Sequence, residues 1–164
     1  MKIETNVNKI TRLAVIASLY VVLTIVFSFI SYGDIQIRIS EILVLLCFFR
    51  KDYFYGLTIG CIIANLFSPY GMIDVMFGTL ATVLALLCVM NSKRLFVACI
   101  YPVIFNAIII GFEIGYLDSI PYYLPMITVG IGEAISMAIG FFVMKKLRKN
   151  KQFLKVIMSN QNNK

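Results

Sequence analysis

The chain has 164 residues, 60% of them hydrophobic and 14% charged, with a mean hydropathy of +0.90. A soluble domain is typically about 45–50% apolar and about 25% charged, so water is not the main solvent here, and the length suits one membrane-embedded unit. Fifteen Lys+Arg against eight Asp+Glu give +7, and the absence of His and Trp removes the commonest metal ligand and general base.

Lys2, Lys9 and Arg12 precede the uncharged run 13–33. That run is longer than the apolar core of a usual signal peptide and no A-x-A-like cleavage site follows it, so a retained first helix is expected at about 10–31. Ala14 and Ser18 stand four apart on it, a small-residue patch suited to receiving a partner helix. Ile39–Phe49 is apolar but short and contains Glu41; extended back through Gln36 and Arg38 it makes a short second crossing, about 36–50. Arg38 and Glu41 are an i, i+3 pair at its outer end, fitting either a surface ion pair or part of a site. Arg50-Lys51-Asp52 breaks the chain before a third helix at about 53–68, which carries Gly56, Gly60 and Ala64 as a stripe and Asn65 in its outer part.

Ser68-Pro69-Tyr70-Gly71 punctuates a turn. Asp74 opens a fourth helix, about 71–90, as a cap or as a site group. After Asn91-Ser92-Lys93-Arg94 comes the fifth, about 95–115, with Asn106 at mid-depth. Glu113 lies seven residues on, near enough to the outer surface for water to solvate it, and Gly111 and Gly115 form a second stripe. Tyr116–Pro121 holds the next turn, and a sixth helix at about 121–146 carries the stripe Gly132, Ser136, Gly140. Glu133 sits about 12 residues, or on the order of 18 Å, in from the outer end of that helix, close to the midplane. A charge there is penalised by roughly 2.5–3.5 kcal/mol on insertion scales, so Glu133 is the residue hardest to explain by structure alone. Asn65 and Asn106 fit interhelical hydrogen bonds as well as a site. Cys47, Cys61, Cys88 and Cys99 lie in apolar runs without C-x-x-C spacing and read as small buried hydrophobes, not as a zinc site or disulfide framework.

Six crossings put both termini on one side. That side receives 14 of the 15 basic residues, all but Arg38, which by the positive-inside rule makes it cytoplasmic. Acidic residues show the opposite bias: Asp34, Glu41, Asp74, Glu113, Asp118 and Glu133 fall outside or in the outer-to-middle membrane. The expected fold is an all-α integral membrane protein, one domain over 1–164. It is a six-transmembrane-helix bundle with a polar cup opening outward and a basic cytoplasmic tail, 147–164. The tail fits anionic lipid and no nucleic acid is implied. Tyr32, Phe67, Tyr70, Tyr122 and Tyr123 gather at the outer end, where they fit stacking on a flat ligand or an ordinary interfacial belt.

There is no G-x-x-x-x-G-K-[ST] loop, no H-E-x-x-H and no G-x-S-x-G, so neither ATP hydrolysis nor a nucleophilic or metal-dependent enzyme is expected, and no cofactor. An outward cup with a buried carboxylate suits solute binding, because a carboxylate accepts adjacent ring N–H and amino donors side by side.

The segment from Asp34 through Arg38 and Ser40 to Glu41 resembles the start of the second helix in QueT-type proteins. So does the longer stretch from Gly60 through Asn65, Ser68, Pro69 and Asp74 to Thr82, and so does Gly130-Ile-Gly-Glu133-Ala134. The resemblance covers roughly 10–146. It implies a substrate-binding (S) component of an energy-coupling-factor transporter in a prokaryotic cell membrane, associated with queuosine precursors, which are 7-deazaguanine bases. It implies as partners one transmembrane coupling protein and two cytoplasmic ATPases, in keeping with the missing P-loop. Ala14-Val-Ile-Ala-Ser18 matches the family's A-x-x-x-A docking patch with Ser in the second place. On this basis Glu133 receives the ring N–H and amine of the base. Asn65, Asn106 and Asp74 meet its other polar edges, and Arg38 and Glu41 lie near the mouth. The alternatives are a stand-alone proton-coupled secondary transporter of a small nucleobase-like or vitamin solute, and a structural subunit without ligand.

Overall fold

The computed structural model describes residues 6–31 and 36–157, and these are helical with no strand among them. Tyr32 and Asp34, with Lys2, Glu4 and Lys164, lie outside the described residues. Helix α1 is Asn6–Val26, with one further turn at Ser28–Ser31. Helix α2, Ile39–Phe49, is 3₁₀ over Ile39–Leu45 and relaxes to α over Leu46–Phe49. Then come α3 (Tyr53–Asn65), α4 (Met72–Val89), α5 (Leu95–Leu117), α6 (Tyr123–Leu147) and a short α7 (Lys151–Ile157).

Four of these, α1, α4, α5 and α6, are long and apolar enough to cross a membrane. The other two are shorter. With seven 3₁₀ and four α residues, α2 is about 20 Å long, and the 13 residues of α3 rise about as far, against about 30 Å of hydrocarbon. The second crossing expected over 36–50 is therefore not a full-length helix, because its first three residues run extended before the 3₁₀ turn begins.

The helices pack as a chain of neighbours, α1 on α3, α3 on α4, α4 on α5 and α5 on α6. The 3₁₀ part of α2 touches all five of them, so it is the axis of the bundle. A 3₁₀ helix repeats every three residues, which stacks Glu41 and Val44 on one face, and Arg38 precedes it in extended conformation. Small residues make this burial possible. A Cβ on Gly132 would lie 2.4 Å from the Gln36 carbonyl oxygen, and one on Gly140 would lie 2.9 Å from Leu45 Cδ1, so the α6 stripe is the bed on which α2 rests. The α3 stripe does the same for α1, with the Leu13 carbonyl 2.8 Å from a Gly56 Cβ and the Ala17 carbonyl 2.9 Å from a Gly60 Cβ. All three stripes expected from the sequence are close-packing surfaces, the third being Gly111 and Gly115 against Met126 and Tyr122.

Outside this frame the surface is apolar: Val7, Ile10, Phe29, Ile108 and Phe142 are among the large side chains left exposed. On a water-soluble domain such a continuous apolar surface marks a site of association; on long apolar helices it is what lipid tails solvate.

The two ends differ. At one, Asp52 in the α2–α3 turn receives Arg50 Nη2 at 3.1 Å, Lys9 Nζ at 3.8 Å and Arg12 Nη2 at 4.0 Å. Lys51 Nζ donates to Asn91 Oδ1 at 3.1 Å there. The tail is more structured than a basic appendage: α7 folds back so that Phe153 meets Phe49 edge-on at 6.3 Å and Ile157 is buried. At the other end Tyr70 donates to Asp118 at 2.8 Å, joining the α3–α4 loop to the α5–α6 turn.

Because the contact at Gly132 is with backbone, it cannot relax by rotating a side chain. Gly132→Ala should cost about 1–3 kcal/mol, as overpacking does, and lower the thermal midpoint in detergent. Gly130→Ala, where the nearest atom is the Ala107 methyl at 3.3 Å, should change it far less. Equal midpoints for the two variants would contradict this packing.

Candidate functional site

The candidate site is built around the axial segment. Arg38 is 3% exposed and Glu41 0%. Both were expected near the surface end of a crossing helix. Instead the extended run 36–38 carries them into the centre, where five helices cover them. The pair is neither a surface ion pair nor at the mouth.

Buried hydroxyls hold this segment in register. The Tyr20 hydroxyl donates to Glu41 Oε1. Thr24 Oγ1 donates to the Tyr20 carbonyl at 2.9 Å and meets Ser40 Oγ at 2.7 Å. From α4, Thr82 Oγ1 lies 3.5 Å from the same Glu41 oxygen. Cys61 Sγ is 3.3 Å from Thr82 Oγ1 and accepts from Asn65 Nδ2 at 3.4 Å. A Cβ on Gly78 would sit 2.5 Å from Asn65 Nδ2, so the glycine makes room for the amide.

The other expected residues converge on this core. Glu133 is 2% exposed, Asn106 3%, Asn65 1% and Asp74 1%. Glu133 lies within electrostatic reach of Glu41, and the Asn106 amide lies against its carboxyl. Asp74 does not cap α4, whose start has no side-chain cap. Its carboxyl turns inward, accepts from the Ser68 hydroxyl and adjoins that of Glu113. Glu113 was expected to be solvated and is 2% exposed. The close approach of α5 to Met126 and Tyr122 at Gly111 and Gly115 covers that end. Arg38 lies within electrostatic reach of Glu41, Asp74, Glu113 and Glu133 alike.

Buried polar atoms almost always have partners, since leaving one bare costs roughly 1–3 kcal/mol. Here several have none. Among the described residues Glu41 Oε2, Glu133 Oε1, Asp74 Oδ1, both Glu113 oxygens and both Asn106 amide atoms lack a hydrogen bond of full geometry. The centre is thus rich in acceptors, with the Arg38 guanidinium, the Asn65 and Asn106 amides and a few hydroxyls as its donors. Such a set is chemically suited to a small solute carrying several N–H groups. It offers no nucleophile–base pair, and among the described residues no group of three His, Cys, Asp or Glu is placed to hold a metal.

Outside the centre, Ala14 and Ser18 are exposed and line a shallow groove on α1 with Thr11, Val15, Leu19 and Val22. Among the outer aromatics, Phe112 and Tyr122 stack at 5.1 Å, and Tyr70 is tied to Asp118. Burial first, then the Asp118 carboxylate, pushes the Tyr70 phenol up to about 12. Tyr20, Thr24, Ser40 and Thr82 were not singled out in the sequence reading, and Cys61, read there as a small buried hydrophobe, is buried and also bonds to polar neighbours. The signal was i, i+4 spacing of polar side chains in apolar helices, Tyr20 with Thr24 and Cys61 with Asn65.

An all-helical multi-pass membrane protein with an apolar surface and an enclosed, acceptor-rich centre belongs to the solute transporters rather than the enzymes. The chain is a member of the QueT transporter family, which matches it over residues 10–149. It is 34% identical to the queuosine precursor transporter QueT of Lactococcus lactis subsp. cremoris (strain MG1363), over 89% of this chain and 95% of that protein. No solved structure matches it. The family seen in the Asp34–Glu41, Gly60–Thr82 and Gly130–Ala134 segments is thereby established.

Tyr20→Phe deletes the donor to a buried carboxylate and should cost about 1–3 kcal/mol of stability. It is read as a lower thermal midpoint, against an unchanged midpoint for Val15→Ala on the exposed face of α1. An unshifted midpoint for Tyr20→Phe would show that α1 does not hold Glu41.

Proposed function

We propose that this protein is the substrate-binding component of an energy-coupling-factor transporter and captures a queuosine precursor, a 7-deazaguanine base, from outside the cell membrane. The observation that carries this is the set of unpartnered acceptors around Arg38, above all Glu133 Oε1 and Glu41 Oε2. A 7-deazaguanine presents a ring N–H beside an exocyclic amine, and a carboxylate accepts the two side by side. Glu133 takes that pair, Asn106 supports it, and Glu41, Asn65, Asp74 and Arg38 meet the remaining polar edges. The similarity to a protein named as a queuosine precursor transporter points to the same ligand class.

The bundle crosses the membrane six times, α2 and α3 completing their crossings through their flanking segments, with both termini cytoplasmic. The gathering of Lys9, Arg12, Arg50 and Lys51 at one end agrees with that orientation. A transmembrane coupling protein docks on the exposed α1 face at Ala14 and Ser18, and two ATPase subunits supply the energy. The bundle reorients as a body to release the base inside.

Glu133→Ala should abolish binding of a 7-deazaguanine base by the purified protein while the variant still inserts and keeps a cooperative thermal transition. Wild-type affinity would remove Glu133 from the site. Uptake into vesicles should require the ATPase module and ATP. Uptake without that module, collapsed by an uncoupler, would contradict the assignment in favour of a stand-alone proton-coupled carrier.

A further inference from the structure

A groove of about 380 Å³ runs along the outside of the bundle between α5 and α6. Ala134 and Ala138, one turn apart on α6 and exposed, lie along it beside Cys99 and Val103 of α5. Phe96 and Phe141 meet edge-on at 6.2 Å at one end. From Ala134 to Phe141 the groove follows α6 for about 10 Å, against about 15 Å for the tail region of one bilayer leaflet.

The end lined by the two rings is also where cations gather. Lys145 holds its ammonium over the Phe141 ring, 5.7 Å from the centroid. Lys146 follows it, Lys93 and Arg94 stand immediately before α5 and Phe96, and all four are exposed. Lys51 Nζ on Asn91 ties this end to the Asp52 cluster, but Asp52 is taken by Lys9, Arg12 and Arg50. No acidic residue follows Glu133 in the chain, and the first turn of α5 carries none. Lys145 and Lys146 complement the dipole at the C-terminus of α6, whereas Lys93 and Arg94 precede the N-terminus of α5, an end that favours anions. An apolar slot that ends in cations matches the two halves of an anionic phospholipid. The groove between α3 and α4 is larger, about 610 Å³, but has no such end, because no Lys or Arg occurs from 53 to 92. A second copy is a poorer occupant: a twofold pairing through this face would set the two cation clusters against each other.

We propose that the α5–α6 groove binds one anionic phospholipid, with an acyl chain along Ala134 and Ala138 and the headgroup phosphate between Lys145 and Arg94. The site lies on the outside of the bundle, apart from the buried centre, and stands whatever solute that centre takes. It is also distinct from the basic tail, since Lys145 and Arg94 flank the ring pair that closes the groove.

The test is native mass spectrometry of the full-length protein, purified in detergent and offered phosphatidylglycerol or phosphatidylcholine with the same acyl chains. The wild type should retain one phosphatidylglycerol per chain, about tenfold over phosphatidylcholine, since each cation beside an anionic headgroup contributes roughly a factor of five. Arg94→Gln combined with Lys145→Gln should bring that preference down to about twofold. Ala138→Phe, which fills the groove and keeps the cations, should lower phosphatidylglycerol retention, and Leu80→Phe in the α3–α4 groove should not. Equal retention of the two lipids by the wild type would overturn the site. So would a preference unchanged in the double variant, as binding to the basic tail would give. Undiminished retention by Ala138→Phe with a wild-type thermal midpoint would overturn the groove as its location. A lipid-free dimer that Ala138→Phe dissolves would assign the face to a second copy instead. Arg94 and Lys145 are exposed, so the charge variant reports on the site even if Ala138→Phe does not fold.

Discussion

The burial of one polar turn in the middle of an apolar bundle constrains everything else in this molecule. Arg38, Ser40 and Glu41 are too costly to desolvate unless their environment is polar on every side. That requirement explains why Tyr20, Thr24 and Thr82 sit on three turns of otherwise apolar helix and point at the same segment. It explains the glycines as well. A chain that runs extended past α6 at Gln36 needs a helix face without side chains, and Gly132 provides it.

Function divides along the same line. The part of the bundle nearer the Asp52 end is close-packed with apolar groups such as Leu45, Leu57, Leu86 and Val89. The acceptors are gathered toward the middle and the Tyr70 end. Helix α1 joins the two parts of the proposed mechanism: its buried face holds Glu41 through Tyr20, while its exposed face presents Ala14 and Ser18. In that proposal, a partner docked on the exposed face bears on a helix whose other face is hydrogen-bonded to Glu41.

Much of this was legible in the sequence, and the pattern of successes has a physical cause. Long uncharged runs report helices because lipid demands internally satisfied backbone, so α4, α5 and α6 fall within a few residues of expectation. Glu133, Asn106, Asn65 and Asp74 stood out for the same reason, as polar groups where polarity is penalised. Depth along a helix was readable, but lateral position was not. Arg38 and Glu41 looked superficial because a short segment gives no sign that it threads the axis of the bundle. Glu113 looked solvated because counting residues from a helix end ignores how closely α6 covers it at Gly111. Hydroxyls were passed over because Ser, Thr and Tyr are ordinary in membrane helices, bonding to their own backbone as Ser136 does to the Gly132 carbonyl at 3.1 Å. The tail shows the converse case, where charge drew attention away from Phe153 and Ile157, the residues that fix it to the bundle.

The central claim is that this acceptor-rich centre holds a base. The most direct measurement is an equilibrium titration of the purified wild-type protein with 7-deazaguanine bases, with guanine and riboflavin as controls. Saturable binding of one base per chain, confined to the deazaguanines, is the predicted result. No heat with any deazaguanine, from protein that unfolds cooperatively in the same detergent, would contradict it and leave the buried carboxyls without a ligand.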